Sequence, residues 1–216
     1  MGYVLCGLMG YAVGSLNPAY IIGRRKGFDI RSRGSGNAGG SNALITMGKI
    51  IGAICILFDI FKAYTVVRLS VYLFRNLSWI LPISSTSCIL GHMFPLYMKF
   101  RGGKGLACLT GVVLAFDAKL FLILLLIEAV LVFSINYICV IPITASIAFP
   151  ILYGFLTDDP IGAAILSVAS VAILLKHVKN VRRIFQGKEL RFSYLWNRKK
   201  EEERIQEDTS VDTDKK

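Results

Sequence analysis

Acid is scarce in this chain: 14 Asp and Glu stand against 25 Lys and Arg, a formal charge of +11 over 216 residues. A basic excess of that size invites nucleic acid as a partner. Here, though, it is confined to short segments beside long apolar runs, where positive charge orients helices toward the cytoplasm. No nucleic acid is expected. Cysteine pairing is also missing: Cys6, Cys55, Cys88, Cys108 and Cys139 sit singly inside apolar stretches. With no Cys-x-x-Cys or Cys/His spacing, no metal is expected, and the thiols read as small packing residues. The N-terminus shows neither a basic flank nor a small-residue cleavage site, so the first apolar run reads as a spanning helix. No internal repeat and no soluble module appear, which predicts one membrane domain over 1–198 and a charged, disordered tail over 199–216.

What the chain has in abundance is apolar length. Hydrophobic residues make up 54% of it, and the mean hydropathy is +0.58, above that of ordinary soluble domains. Runs such as 49–74, 79–98 and 161–175 are of a size to cross or nearly cross about 30 Å of hydrocarbon. The expected fold is an all-α, polytopic membrane protein. Segment one runs from about Tyr3 to Ile22 and meets Arg24, Arg25 and Lys26, which places that loop inside and the N-terminus outside. Ser41–Met47 forms a short surface helix in this reading. Segments at about 50–72 and 79–98 go out and return. Both Lys104 and the basic cluster 176–183 belong on the cytoplasmic side, which needs an even number of crossings between them. Separate spans at 106–116 and 120–135 satisfy that count, giving seven transmembrane helices, the N-terminus out and the C-terminus in. The acidic turn at 157–160 then faces outward.

Three clusters interrupt the apolar runs. Gly34-Ser35-Gly36-Asn37 leads through Gly39 to Asn42. Gly91-His92-Met93-Phe94-Pro95 leads to Lys99 and Gly102-Gly103-Lys104-Gly105. His177, Asn180 and Arg183 continue past Gly187 to Glu189. The first spells G-x-G-x-x-G with Asp59 twenty positions after Gly39. Basic residues precede it instead of an apolar strand, and Asp59 lies in an apolar segment, so a dinucleotide fold is excluded. The same atoms still form an anion-binding nest, with Ser35, Asn37 and Asn42 as side-chain donors. Gly102–Gly105 is no Walker loop. Three glycines around a lysine at a helix start nevertheless suit phosphate. His177 and Asn180, spaced i, i+3, share a helical face that Arg183 continues. Asp59 and Lys62, also i, i+3, form a pair at membrane depth, whereas Glu128 has no evident partner.

These motifs, in this order, resemble the bacterial membrane glycerol-3-phosphate acyltransferases that use acyl phosphate, the PlsY family. The resemblance also takes in Gly14-Ser15-Leu16-Asn17-Pro18, Asp29-Ile30-Arg31 and Gly48-Lys49, and spans about 3–190. It implies seven helices in a bacterial inner membrane and catalysis at the cytoplasmic face. The implied reaction moves a fatty acyl group from acyl phosphate to the 1-hydroxyl of glycerol 3-phosphate, giving lysophosphatidic acid without coenzyme A, cofactor or metal. Ser35, His177, Asn180 and Lys104 are the expected catalytic residues. Gly34, Gly36, Asn37, Asn42, Gly102, Gly103, Gly105, Arg183 and Glu189 are expected to hold substrate phosphate.

The chain departs from that pattern in two places. The family usually has an arginine, associated with phosphate binding, where this chain has Ile45. It also tends to carry an arginine and two serines where Asn136, Cys139 and Pro142 align. Isoleucine replaces no bidentate contact, so the alternative expectation is a divergent member of little activity, with Arg31, Arg33 or Lys49 as candidate compensators. A small transporter is the other alternative, although it does not call for phosphate-type loops confined to one face.

Overall fold

The computed structural model describes residues 1–189, 191–195 and 197. The expected tail at 199–216 lies outside the described residues. Within them the secondary structure is entirely helical: α1 Gly2–Ser15, α2 Pro18–Arg25, α3 Gly40–Met47, α4 Lys49–Leu73, α5 Ile80–Met93, α6 Leu106–Phe116, α7 Ala118–Ile135, α8 Val140–Thr157 and α9 Pro160–Phe185.

Four of these helices, α4, α7, α8 and α9, are long and apolar enough to cross a bilayer, and α1 with α2 qualifies as a pair bent by 41°. α5 and α6 are shorter, with 14 and 11 residues, against the roughly 20 a perpendicular crossing needs.

Segment one is therefore not one continuous helix. Pro18 disfavours helical backbone at the residue before it, and Asn17 is extended (φ −117°, ψ 99°). Asn17 then caps α2 by accepting from Tyr20 N at 2.8 Å. The 79–98 segment likewise stops short, at Met93, with Pro95 opening the turn that follows. Leu106–Phe116 is a separate helix, as the charge count required. Asp117 leaves the helical region (φ −154°) and caps α7 through Leu120 N at 2.6 Å.

Small residues let the helices approach closely, the usual device where lipid removes the hydrophobic drive between them. A Cβ on Gly14 would collide with the Cys88 carbonyl, and one on Gly91 with the Tyr11 carbonyl. α1 and α5 therefore pack backbone to backbone at two levels. The main core lies between α4, α5, α6, α8 and α9, around Val67, Ile89, Val112, Phe149 and Ile173. A smaller core of Ala19, Ile30, Ala38, Ala43, Cys55 and Met98 sits beneath the first glycine cluster. At the opposite end Asp159 caps α9 and receives Trp79 Nε1 and Tyr153 Oη, both at 3.1 Å.

Candidate active site

The first glycine cluster is organised by one side chain. Asn42 Nδ2 donates to Ile30 O, Arg33 O and Asn37 O at 3.0, 3.0 and 2.8 Å, and Asn42 Oδ1 accepts from Ser35 N at 2.9 Å. These bonds are all internal to the loop, which makes Asn42 its strut. Gly34 and Gly36 turn the chain at φ +55° and +72°, conformations that glycine adopts without penalty. Ser35 is exposed at the tip. Asn17 ties this loop to the helix break by donating to Ala38 O at 2.7 Å.

The second loop is built on the end of α5. Gly102 N donates to Met93 O and Gly103 N to His92 O, at 3.0 and 3.1 Å. A Cβ on Gly102 would collide with the His92 carbonyl and one on Gly103 with the imidazole, so both glycines are required by close approach. Gly105 turns into α6 at φ +92°. Lys99 and Phe100 both hold left-handed backbone, at φ +54° and +57°. Two consecutive strained side-chain residues beside a polar loop are the kind of outlier that marks a working segment.

The third cluster meets the second directly. Lys104 Nζ donates to Asn180 Oδ1 at 2.6 Å, and Asn180 Nδ2 donates to Glu189 Oε1 at 2.5 Å. The Arg183 carbonyl accepts from both Lys188 N and Glu189 N, returning the chain toward Asn180. Burial pushes the Lys104 ammonium below its ordinary range, and the Glu189 charge opposes that fall. His177 is 3% exposed, and its Nδ1 lies 2.8 Å from Ile173 O. A carbonyl only accepts, so Nδ1 carries the proton and a neutral imidazole keeps Nε2 as an acceptor.

Arg31 joins the first loop to the second. Its guanidinium pairs with Asp29 at 2.7 Å and donates to Met98 O at 2.7 Å and Arg101 O at 3.3 Å. The pairing lowers the Asp29 carboxyl, chiefly through its hydrogen bond to Arg31, and raises Arg31. Arg33 stacks over Phe28, 3.9 Å from the ring centroid. Two of the three candidate compensators for Ile45 therefore have structural partners. Ile45 itself is 48% exposed on α3. Of the other departures, Cys139 lies within electrostatic reach of Glu189 and Lys104. Asn136 is the left-handed cap of α7 and accepts from Phe192 N at 2.8 Å and Ser193 N at 3.0 Å.

Sequence reasoning missed Tyr97, whose hydroxyl donates to Ser15 O at 2.9 Å and accepts from Asn17 N at 3.3 Å. It also missed the convergence of Asp59, His92 and Cys108, whose ligand-type atoms lie within 4.8 Å of one another. Residues 59, 92 and 108 are too far apart in the chain to show a ligand pattern. Lys62 Nζ, 2.6 Å from Asp59 Oδ1, already places a cation at that carboxylate, so this donor set is not that of a vacant metal centre. Glu128 does have a partner, the Thr144 hydroxyl at 2.7 Å.

Fold and site together define a polytopic membrane protein that gathers three polar clusters at one end of its helices. The description "Glycerol-3-phosphate acyltransferase" belongs to the family model matching residues 4–187, and the chain is a member of that family. It is 33% identical over 190 residues to glycerol-3-phosphate acyltransferase 2 of Thermotoga maritima, covering 88% of this chain and 96% of that one. It is 35% identical over 188 residues to the glycerol-3-phosphate acyltransferase of Thermoanaerobacter sp., with 86% and 93% covered. The crystal structure of PlsY, described as an integral membrane glycerol 3-phosphate acyltransferase in its glycerol 3-phosphate form, superposes with a TM-score of 0.81 at 30% identity. It covers 90% of this chain and 98% of its own. The lysophosphatidic acid form gives 0.78.

Proposed function

We infer that this chain acylates the 1-hydroxyl of glycerol 3-phosphate from acyl phosphate, giving lysophosphatidic acid, at the cytoplasmic face of a bacterial inner membrane. The observation that carries the reading is the Lys104–Asn180–Glu189 chain at the mouth of the second glycine loop. It holds one half-buried ammonium in place, with no ion pair to it among the described residues, ready for an anionic ligand. In this proposal Gly102, Gly103, Gly105 and Lys104 hold the donor phosphate, and Gly34, Ser35, Gly36 and Asn37 hold the acceptor. Asn42 acts through the loop it braces, and Glu189 and Arg183 act through Asn180.

The acceptor oxygen attacks the acyl carbon, the bond to the phosphate oxygen breaks, and the departing phosphate takes the hydroxyl proton. His177 Nε2 orients the hydroxyl, while Lys104 and Asn180 stabilise developing negative charge. Acyl phosphate is already activated, so no acyl-enzyme, metal or cofactor is needed. The acyl chain occupies the cavity of about 250 Å³ lined by Leu106, Leu109, Val113, Leu124, Val132 and Phe192. Seven crossings, with α5 and α6 spanning as short segments, put the N-terminus outside and the C-terminus in the cytoplasm. A single membrane domain over 1–198 then precedes a charged tail.

One observation favours a second reading, a member of low activity: Ile45 is solvent-facing, and Arg31 is held by Asp29 and two carbonyls. Both readings are tested by giving purified protein acyl phosphate or acyl-CoA with glycerol 3-phosphate and measuring lysophosphatidic acid beside a Lys104→Ala variant. Product from acyl phosphate, lost in the variant, is the expected result. Product from acyl-CoA alone overturns the donor assignment, and no product from either donor favours the low-activity reading.

A further inference from the structure

We propose that Asp59, Lys62 and His92 form a buried positioning device that sets the two glycine loops relative to one another, a role that rests on the acyl-transfer reading above. The three side chains are 2–3% exposed. Lys62 Nζ lies 2.6 Å from Asp59 Oδ1, 3.3 Å from His92 Nδ1 and 2.5 Å from Leu16 O. Each of the last two contacts is one step from a loop. Leu16 is the residue at the helix break, and its neighbour Asn17 holds the first loop through Ala38 O. His92 carries the second loop through its own carbonyl, with its ring packed beneath Gly103. One ammonium therefore fixes the supports of both loops.

The chemistry of the device argues for position over bulk stability. A buried ion pair costs desolvation and is often replaced by apolar residues without loss of stability, whereas its best-attested use is to fix registry. At membrane depth the cost of charge is higher still. Backbone contact at glycine already joins α1 to α5 and α4 to α6, and Val66 and Val67 of α4 share the main apolar core with Cys88 and Ile89 of α5, so the charges are not needed to close the bundle. Asp59 anchors the ammonium, and Cys108 packs close to both Asp59 and His92. Among the described residues no hydrogen bond or ion pair joins Lys62 or Asp59 to a residue of either glycine loop, so both are positioning residues and not catalytic ones.

The test is a paired replacement, Asp59→Leu with Lys62→Met, in the full-length protein in detergent. Thermal midpoint, kinetics with acyl phosphate and glycerol 3-phosphate, and amide exchange over 34–42 and 99–105 are all measured. The expected result is a midpoint near that of the parent, a fall of about 100-fold in kcat/KM, and KM values for both substrates rising together. Amides of Gly102 and Gly103 should exchange faster. Parent KM values for both substrates in the folded double variant overturn the proposal. So does a stoichiometric metal that copurifies with the parent and is lost in Cys108→Ala. Should the double variant not fold, Asp59→Asn replaces it with little change in volume, and a rise confined to one substrate overturns the proposal equally. A parent without glycerol 3-phosphate activity sinks the acyl-transfer reading instead, while the exchange measurement still reads the device.

Discussion

The two glycine loops reach similar ends by opposite construction. Residues 34–42 are folded by one of their own number: Asn42 bonds to four groups between residues 30 and 37. Residues 99–105 have no such internal strut. Their amides rest on His92 and Met93, and their lysine on Asn180, 76 positions away. The first loop is a local solution that short-range hydrogen bonding dictates. The second is a tertiary one and inherits its geometry from the packing of α5 and α9. Disturbing α9 should therefore move the second loop and leave the first largely intact, whereas Lys62 of α4, which reaches the supports of both, should move the two together.

The largest effect is expected at the tertiary loop. Lys104→Ala removes the half-buried ammonium and leaves Asn180 Oδ1 without its 2.6 Å donor, and kcat/KM should fall about 10²–10³-fold, the usual cost of one preorganised electrostatic contact. Lys104→Arg sharpens this. Because burial lowers the Lys104 pKa, the parent should lose activity with rising pH earlier than an ordinary lysine would allow, and the arginine variant should hold its activity further up the alkaline limb. The sign for stability is the reverse. In the window between the lowered value and the ordinary one the unfolded chain binds the extra proton, so this group's contribution to stability rises with pH.

Next comes the local loop. Asn42→Ala removes four hydrogen bonds and strands buried backbone groups, a loss of about 3 kcal/mol. KM for glycerol 3-phosphate should rise while KM for acyl phosphate changes little, read by steady-state kinetics. Equal rises for both substrates would erase the distinction between the loops. Ile45→Arg should act on the same loop in the opposite direction. A guanidinium on this exposed position of α3 can form charge-assisted bonds to the acceptor phosphate, worth about 1.5–3 kcal/mol, so KM for glycerol 3-phosphate should drop about 10-fold or more.

That division also explains what was legible beforehand. The short helix at 41–47 appears as Gly40–Met47, and the pairing of Asp59 with Lys62 is visible as i, i+3 spacing and realised at 2.6 Å. The break between Leu106–Phe116 and the next helix follows from charge counting and is enforced by the Asp117 cap. Apolar run length alone hides the action of proline: Pro18 splits segment one, and the helix of segment three stops two residues before Pro95. Arg31 read as a phosphate ligand in waiting, because nothing near it in the chain announces carbonyl partners 67 and 70 positions away. The partners of His92 and Lys104 were hidden for the same reason. Periodicity names the neighbours on one helix, and the contacts that assemble the site lie between helices.

The smallest effect is expected where the charged interior has no route to either loop. Glu128 is 6% exposed on α7, and its one hydrogen-bond partner among the described residues is the Thr144 hydroxyl, which also faces Val140 O at 2.9 Å. Glu128→Gln keeps the volume and an acceptor for Thr144 while removing the titratable group. Turnover with a saturated acyl phosphate should stay within about twofold, and the thermal midpoint should move by no more than an ordinary surface substitution does, about ±0.5 kcal/mol. Activity assays and thermal unfolding on the same preparation check both numbers. A loss comparable to that of Lys104→Ala would place a working acid in the cavity wall, and the contrast between a polar, loop-bearing end and an apolar interior would have to be redrawn.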